Sequence, residues 1–245
     1  MPLGLAAVNV NTMKKLIFSV AFTAGLYAMA GAQSTPEQSM SPVNPGGLYL
    51  KGGVNFSNIS VTNGGSVNSS NALTTFNVGF IGDIPLANVF SIQTGLYLNG
   101  KGAKAQSSTY DVKFNPLYLE VPANFVVKVP IDNQTRVFVG AGPYLAMGIG
   151  GKTKGTSNID GLTSSYEKNI QFSNNGPDQN SEQDASVNDL RRFDYGVNIV
   201  AGIEVQRLMI GVGYQLGLAK IGATQNDNND KNKYRIFSID AGIRL

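Results

Sequence analysis

The ten residues "MIGVGYQLGL" at positions 209–218 divide by parity. Ile210, Val212, Tyr214, Leu216 and Leu218 form one set; Met209, Gly211, Gly213, Gln215 and Gly217 form the other. Side chains along a β-strand point to opposite faces in turn. The stretch therefore reads as a strand with one bulky, oily face and one face of glycine with a single amide. A soluble protein would turn the oily face to its core. A membrane barrel would turn it to lipid and keep the small or polar face inside.

Seven further segments repeat the pattern: residues 48–57, 74–83, 90–101, 113–129, 136–148, 193–206 and 234–245. In 113–129, Leu117, Leu119, Val121, Ala123, Phe125, Val127 and Val129 oppose Tyr118, Glu120, Asn124 and Lys128. In 193–206 the oily set runs from Phe193 to Val205 against Asp194, Gly196, Asn198, Gly202, Glu204 and Gln206, and only Val200 is out of phase. Ile81 is the exception in 74–83. In 234–245, Phe237, Ile239, Ala241, Ile243 and Leu245 alternate with Ser238, Asp240, Gly242 and Arg244. A one-residue slip would carry Asp240 and Arg244 onto the oily side, so register is strongly specified. Pro116, Pro122 and Pro143 fall inside these strands, where each removes a ladder donor, and bulges or local kinks are expected there.

Connection lengths alternate as well. Long polar loops follow the first, third, fifth and seventh segments, at about residues 58–73, 102–112, 149–192 and 219–233. Short turns follow the second, fourth and sixth, at residues 84–89, 130–135 and around Arg207. A soluble β-sandwich has no need to segregate long and short connections to opposite ends. An even number of antiparallel strands with that segregation describes a bacterial outer-membrane barrel. The fold expected is all-β: an eight-stranded antiparallel up-and-down transmembrane β-barrel with short periplasmic turns and long extracellular loops.

Composition agrees. Only 14% of the 245 residues are charged, against roughly 25% in soluble domains. Cys, His and Trp are absent. Without Cys there is no disulfide, thiolate metal site or lipoprotein anchor; without His, a Ser-His-Asp hydrolase is excluded. The net charge of +3 includes Lys14 and Lys15 of the leader, which leaves +1 on the rest. With no basic run, nucleic acid is not an expected partner.

The leader reads "MKKLIFSVAFTAGLYAMAGAQS" from Met13, with two lysines, an apolar stretch and small residues at Ala30 and Ala32. That is the pattern of a secretory signal peptide. Residues 1–32 are assigned to it, with Met13 as the functional start and cleavage after Ala32. Residues 33–46 form a periplasmic N-terminal segment and 47–245 the barrel. The apolar run is shorter than the ~20 residues a spanning helix needs.

If the polar face looked at lipid, Glu120, Asp194, Glu204, Asp240 and Arg244 would point outward. Each charge would cost up to about 2–4 kcal/mol at the midplane. Facing the oily side outward removes that penalty, and glycines suit an eight-stranded interior only just wide enough for side chains. Lys51, Lys128, Arg136 and Arg244 are then expected to balance Asp83, Glu120, Asp194, Glu204 and Asp240 in the lumen, around Tyr118 and Tyr144. The alternative is a soluble, lipocalin-like periplasmic barrel that lines a cavity with its oily face and binds a small apolar ligand.

The chain resembles the PorT-like family of small outer-membrane β-barrels over about residues 47–245. The resemblance is carried by "GGLYLKGGVNFSN", "FSIQTGLYLNGKGAK", "PLYLEVPANFVVKV", "FVGAGPYLAMG", "YGVNIVAGIEV" and "IGVGYQLGL" in that order. Tyr118, Leu119, Glu120, Val121 and Pro122 match the family's fourth-strand block. The resemblance implies an integral outer-membrane protein, with some relatives linked to secretion or envelope assembly, and carries over no catalytic residue. Such barrels usually finish on an aromatic residue read by the assembly machinery. This chain finishes on Leu245, and the alternation of Phe237, Ile239 and Ile243 leaves insertion expected.

Three functional classes follow. The first is a non-enzymatic barrel that presents surface loops or scaffolds an envelope complex, supported by the long Asn/Ser-rich stretch at 151–190. Its partners would be outer-membrane lipid, the barrel assembly machinery during insertion and other envelope proteins. The second is a narrow pore, disfavoured because eight strands leave a lumen filled by side chains. The third is a lipid-modifying enzyme, for which Glu120 with Tyr118 is the only constellation to test; a packed Tyr beside a charge-balanced Glu explains it without chemistry. No cofactor or metal is expected. The "NDNND" run at 226–230 lacks the glycine and distal glutamate of a calcium loop and reads as a solvated loop tip.

Overall fold

The computed structural model describes residues 45–63, 66–69, 71–106, 110–159, 162–173, 189–221 and 232–245. The signal-peptide assignment, most of the N-terminal segment 33–46 and the 226–230 run lie outside them. Among the described residues, eight long strands follow one another: β1 (Gly47–Asn63), β2 (Leu73–Pro85), β3 (Phe90–Gly100), β4 (Tyr110–Pro130), β5 (Thr135–Ile159), β6 (Phe193–Val205), β7 (Leu208–Gly217) and β8 (Lys233–Arg244). Each pairs antiparallel with its sequence neighbour. The ring closes where β8 pairs with β1, from Tyr49 opposite Arg244 to Ser60 opposite Lys233.

Burial answers the question of the two faces. Phe80 is 51% exposed and Leu145 69%, whereas Lys128 and Lys101 are fully buried. The oily parity lies outside and the polar parity inside on every ring strand. Val200 and Ile81, out of phase in the sequence, sit with the inner set: Ile81 belongs to an internal cluster with Tyr49, Tyr97, Val126, Phe138 and Met209, and Val200 packs against it. Apolar side chains left outside a closed barrel have a medium suited to them in lipid, since every backbone group of the wall is paired internally.

Glycines on the inner face answer to space. A Cβ on Gly53 would fall on the Asp240 carboxylate and the Ile239 carbonyl of β8. The prolines are accommodated in different ways. Next to Pro116, the β4–β5 register shifts between Leu117 and Tyr118, giving a bulge. Gly151, opposite Pro116, takes a φ of 146° that side chains rarely adopt. At Pro122 the β3–β4 pairing lapses across Gly95 and Leu96, and the Pro122 carbonyl accepts a hydrogen bond from Thr94 Oγ1 at 2.8 Å instead. Pro143 stays in register opposite Val197.

Boundaries on the extracellular side differ from those read in the sequence. β5 runs on from Gly148 to Ile159, well into the stretch expected to be loop, and pairs there with a further strand, Leu162–Asn169. Ser66–Ser69 folds back on β1, and Ala103–Gln106 pairs with the outer part of β4. Gln171–Ser173 and Asp189–Arg191 pair in parallel. Past the bulge β5 and Leu162–Asn169 are mostly polar on both faces, and the other segments are only three or four residues long, so no sustained oily parity marks them as strand.

The periplasmic turns are short, as expected. The Gln206 amide N–H donates to the Gln134 carbonyl, and Gln206 Nε2 to Gln134 Oε1, both at 2.7 Å, clasping two turns together. In the β4–β5 turn, Asp132 Oδ1 accepts the backbone N–H groups of Gln134 and Thr135 at 2.7 Å each. These bonds hold the Asp132 carboxyl below its ordinary value. A carboxylate with a depressed pKa stabilises fully above the unfolded value of about 3.9, and that stabilisation is lost as pH falls through its own lower pKa. NMR titration should therefore give Asp132 a midpoint below the ordinary aspartate range. A midpoint within that range would mean that the turn is open in solution.

Candidate functional site

The lumen carries the unusual chemistry of this molecule, and it is organised around lysines. Lys101, just beyond β3, is fully buried. Its Nζ lies 2.9 Å from Glu120 on β4 and 2.7 Å from Asp194 on β6. It also sits 4.4 Å from the ring centre of Tyr144, 5.1 Å from that of Tyr118 and 5.9 Å from that of Tyr234. Aromatic faces attract a desolvated cation, so three rings and two carboxylates surround one ammonium. The Tyr144 hydroxyl donates to Asp194 at 3.0 Å.

An amide chain runs inward from this layer. Glu120 accepts from Gln215 Nε2 at 2.7 Å and from Asn99 Nδ2 at 3.0 Å. Asn99 Oδ1 accepts from Asn55, and Asn55 Oδ1 accepts from Asn77, each at 2.7 Å. Asn77 also donates to Asp240 at 2.8 Å, and Asp240 pairs with Lys51 at 3.3 Å. A cavity of about 70 Å³ lies along this chain, lined by Asn55, Asn77, Gln93, Asn124 and Gln215 among others. Ile81, Tyr97, Phe138 and Val200 line it too, but the oily face of each strand lies outside the barrel, so the lipocalin-like arrangement of faces does not occur.

A second ionic layer lies toward the periplasmic turns. Lys128 Nζ is 2.5 Å from Asp83 and 2.8 Å from Glu204, with no side chain of the three exposed. Tyr49 donates its hydroxyl to Glu204 and presents its ring 5.8 Å from the Lys128 ammonium. Removing a charge from water costs several kcal/mol, and only close partners with further hydrogen bonds offset it.

The extracellular mouth is filled by a different material. Ile170, Leu190 and Ile221, from three separate points in the loops, cluster with Tyr118, Tyr144, Ala146 and Tyr234, and Phe172 packs against them. The Phe172 ring meets that of Tyr118 edge-on at 5.6 Å. A Cβ on Gly148 would collide with the same Phe172 ring.

Of the eleven lumen residues named from the sequence, the structure joins Asp83, Lys128 and Glu204 in one layer and sets Tyr144 against Asp194 in another. It brings Glu120 and Asp194 to a common cation, with Tyr118 beneath it, and pairs Lys51 with Asp240. Arg136 is buried near the periplasmic end of β5, and Arg244 is half-buried, with its side chain against Gly47. Glu120 and Tyr118, adjacent on the inner face of β4, are engaged by Lys101 and its surroundings. Sequence reasoning passed over Lys101; it set the amides Asn55, Asn77, Asn99 and Gln215 on the polar parity of their strands but did not join them into a network. Parity was the available signal, because Lys101 continues the inner set of Ser91, Gln93, Tyr97 and Asn99.

Comparison with solved structures finds bacterial outer-membrane and surface proteins among the matches. Ail, the attachment invasion locus protein of Yersinia pestis, is 16% identical, with 81% of this chain and 99% of that chain covered and a TM-score of 0.40. OprG from Pseudomonas aeruginosa is 12% identical, covering 84% and 99%, with a TM-score of 0.41. Neisserial surface protein A is 12% identical, covering 81% and 96%, with a TM-score of 0.38. Comparison with curated proteins finds no match. Residues 32–222 match the family model described as outer membrane protein beta-barrel domain, and the chain belongs to that family, an integral protein of the outer membrane.

Proposed function

We propose that this protein is a non-enzymatic, non-conducting barrel whose work is done by the structure it raises above the membrane. The observation that carries this reading is the filled lumen: two lysine-centred layers, an amide chain between them and an aromatic lid at the mouth. A wall sealed in this way leaves the outer sheet of β4, β5 and Leu162–Asn169 as the part presented to other molecules. Loops of such length are usually functional or disordered, and up to Asn169 this one is paired in sheet. The PorT-like resemblance supports an envelope partner, in secretion or assembly, and the barrel would reach its place through the assembly machinery.

Planar-bilayer recording with purified protein should show no conductance steps; regular steps would overturn the closed-lumen reading. For the partner, residues 160–188 would be replaced by a short glycine-serine linker. Gentle solubilisation of outer membranes followed by mass spectrometry should recover envelope proteins with the wild type that the shortened variant loses. Identical recovery from both would remove the loop from the function.

A further inference from the structure

On the outward face of the extracellular sheet, lysines stand directly opposite one another. Lys104 is in register with Lys113 of β4, and Lys113 with Lys154 of β5. Like charges opposite each other across strands are destabilising. Among the described residues, Asp111 lies 3.5 Å from Lys104, and Glu167 contacts both Lys152 and Lys154, the latter at 2.9 Å. Two carboxylates thus serve four lysines. Lys113, Lys152 and Lys154 are exposed.

Below this row the same face is apolar. On β4 the outward parity of Lys113 leads down to Leu117 and Leu119; on β5 the bulge brings Lys152 and Lys154 onto the face of Leu145, Met147 and Ile149. Lys152 follows Ile149 by three positions, a rise of about 7 Å for a strand tilted about 45°. The polar layer on each side of a bilayer's hydrocarbon is about 5–8 Å deep. Lys152 therefore stands at the depth of the head groups, and Lys113 and Lys154, in register with each other, stand about 5 Å higher at their outer edge, above a wall that acyl chains cover.

We propose that this lysine row is a docking surface for phosphate-bearing head groups of outer-leaflet lipid, with the acyl chains lying along the apolar wall beneath. A phosphate between Lys113, Lys152 and Lys154 relieves the repulsion built into their register. Glu167 opposes the same anion and sets a limit on its affinity.

The probe is phosphatidic acid, titrated against the detergent-solubilised barrel and read by native mass spectrometry, with phosphatidylcholine and inorganic phosphate as the other arms. Wild-type protein should retain phosphatidic acid in preference to phosphatidylcholine, and inorganic phosphate at equal concentration should not displace it. Each lysine at an anionic lipid surface contributes about fivefold, so K113Q/K152Q/K154Q should bind about a hundredfold more weakly. E167Q should bind about fivefold more tightly by the same reckoning. These side chains lie outside the barrel, and E167Q tests the site even where the triple variant folds poorly. Equal binding by wild type and triple variant, or no gain in E167Q, would overturn the proposal. Displacement by inorganic phosphate at equal concentration would also overturn it, in favour of a free-anion site.

Discussion

Lys128→Met should lower the unfolding free energy of the barrel by about 3–5 kcal/mol, the cost of leaving buried carboxylates without their cation. Asp83 and Glu204 both touch this ammonium, and none of the three side chains reaches solvent. Methionine keeps much of the volume, so the loss reports charge rather than a cavity. The measurement is a urea titration in lipid vesicles, supported by the temperature at which the folded form loses its distinct gel mobility. Adding D83N and E204Q to the methionine variant should recover a large part of the loss, because a neutral replacement of a whole buried ionic group is often close to neutral in stability. If Lys128→Met alone unfolds at the wild-type urea concentration, water reaches the layer and the lumen is not sealed there.

Val212→Arg should cost about 2–4 kcal/mol, as expected for a cation placed near the bilayer midplane on the lipid side of a barrel. Val212 lies in the middle of β7, points outward and stands between Ala201 and Ile239 on the neighbouring strands. Folding yield in vesicles and urea stability should both fall, and Leu208→Arg, near the periplasmic end of the same face, should be milder. Were the outer face wetted by water, arginine at either place would be tolerated. Equal tolerance at both positions would therefore count against lipid contact.

Parity carried the architecture because lipid enforces it. Wherever hydrocarbon touches the wall, every second residue is constrained, and the eight segments stand out in a single sequence. Above the membrane the constraint ends, which is why "GKTKGTSNI" reads as loop although β5 continues through it to Ile159. The bulge at Leu117/Tyr118 adds to the difficulty by shifting the phase of β5 against β4. Lys101 was hidden for a related reason. It lies at the start of a stretch, "KGAKAQSS", that resembles a solvated loop, and its partners Glu120 and Asp194 come from other strands. Its inward position follows from parity with Tyr97 and Asn99, but its partnership depends on how β3 meets β4 and β6, which periodicity within one strand does not contain. Asn55, Asn77 and Asn99 were placed on the inner face by parity, but the chain they form joins three strands and becomes visible only when these are laid side by side.

The join between Gly47–Asn63 and Lys233–Arg244 has a consequence for how the molecule is made. The two partners lie at opposite ends of the polypeptide, so the last ladder to zip is the one of greatest sequence separation, and such contacts are slow to form. Until it does, a half-built wall exposes two raw borders of unmatched amides and carbonyls, which hydrocarbon does not tolerate. Truncation within the final strand should thus leave no smaller working tube, only an open sheet prone to pairing with its copies.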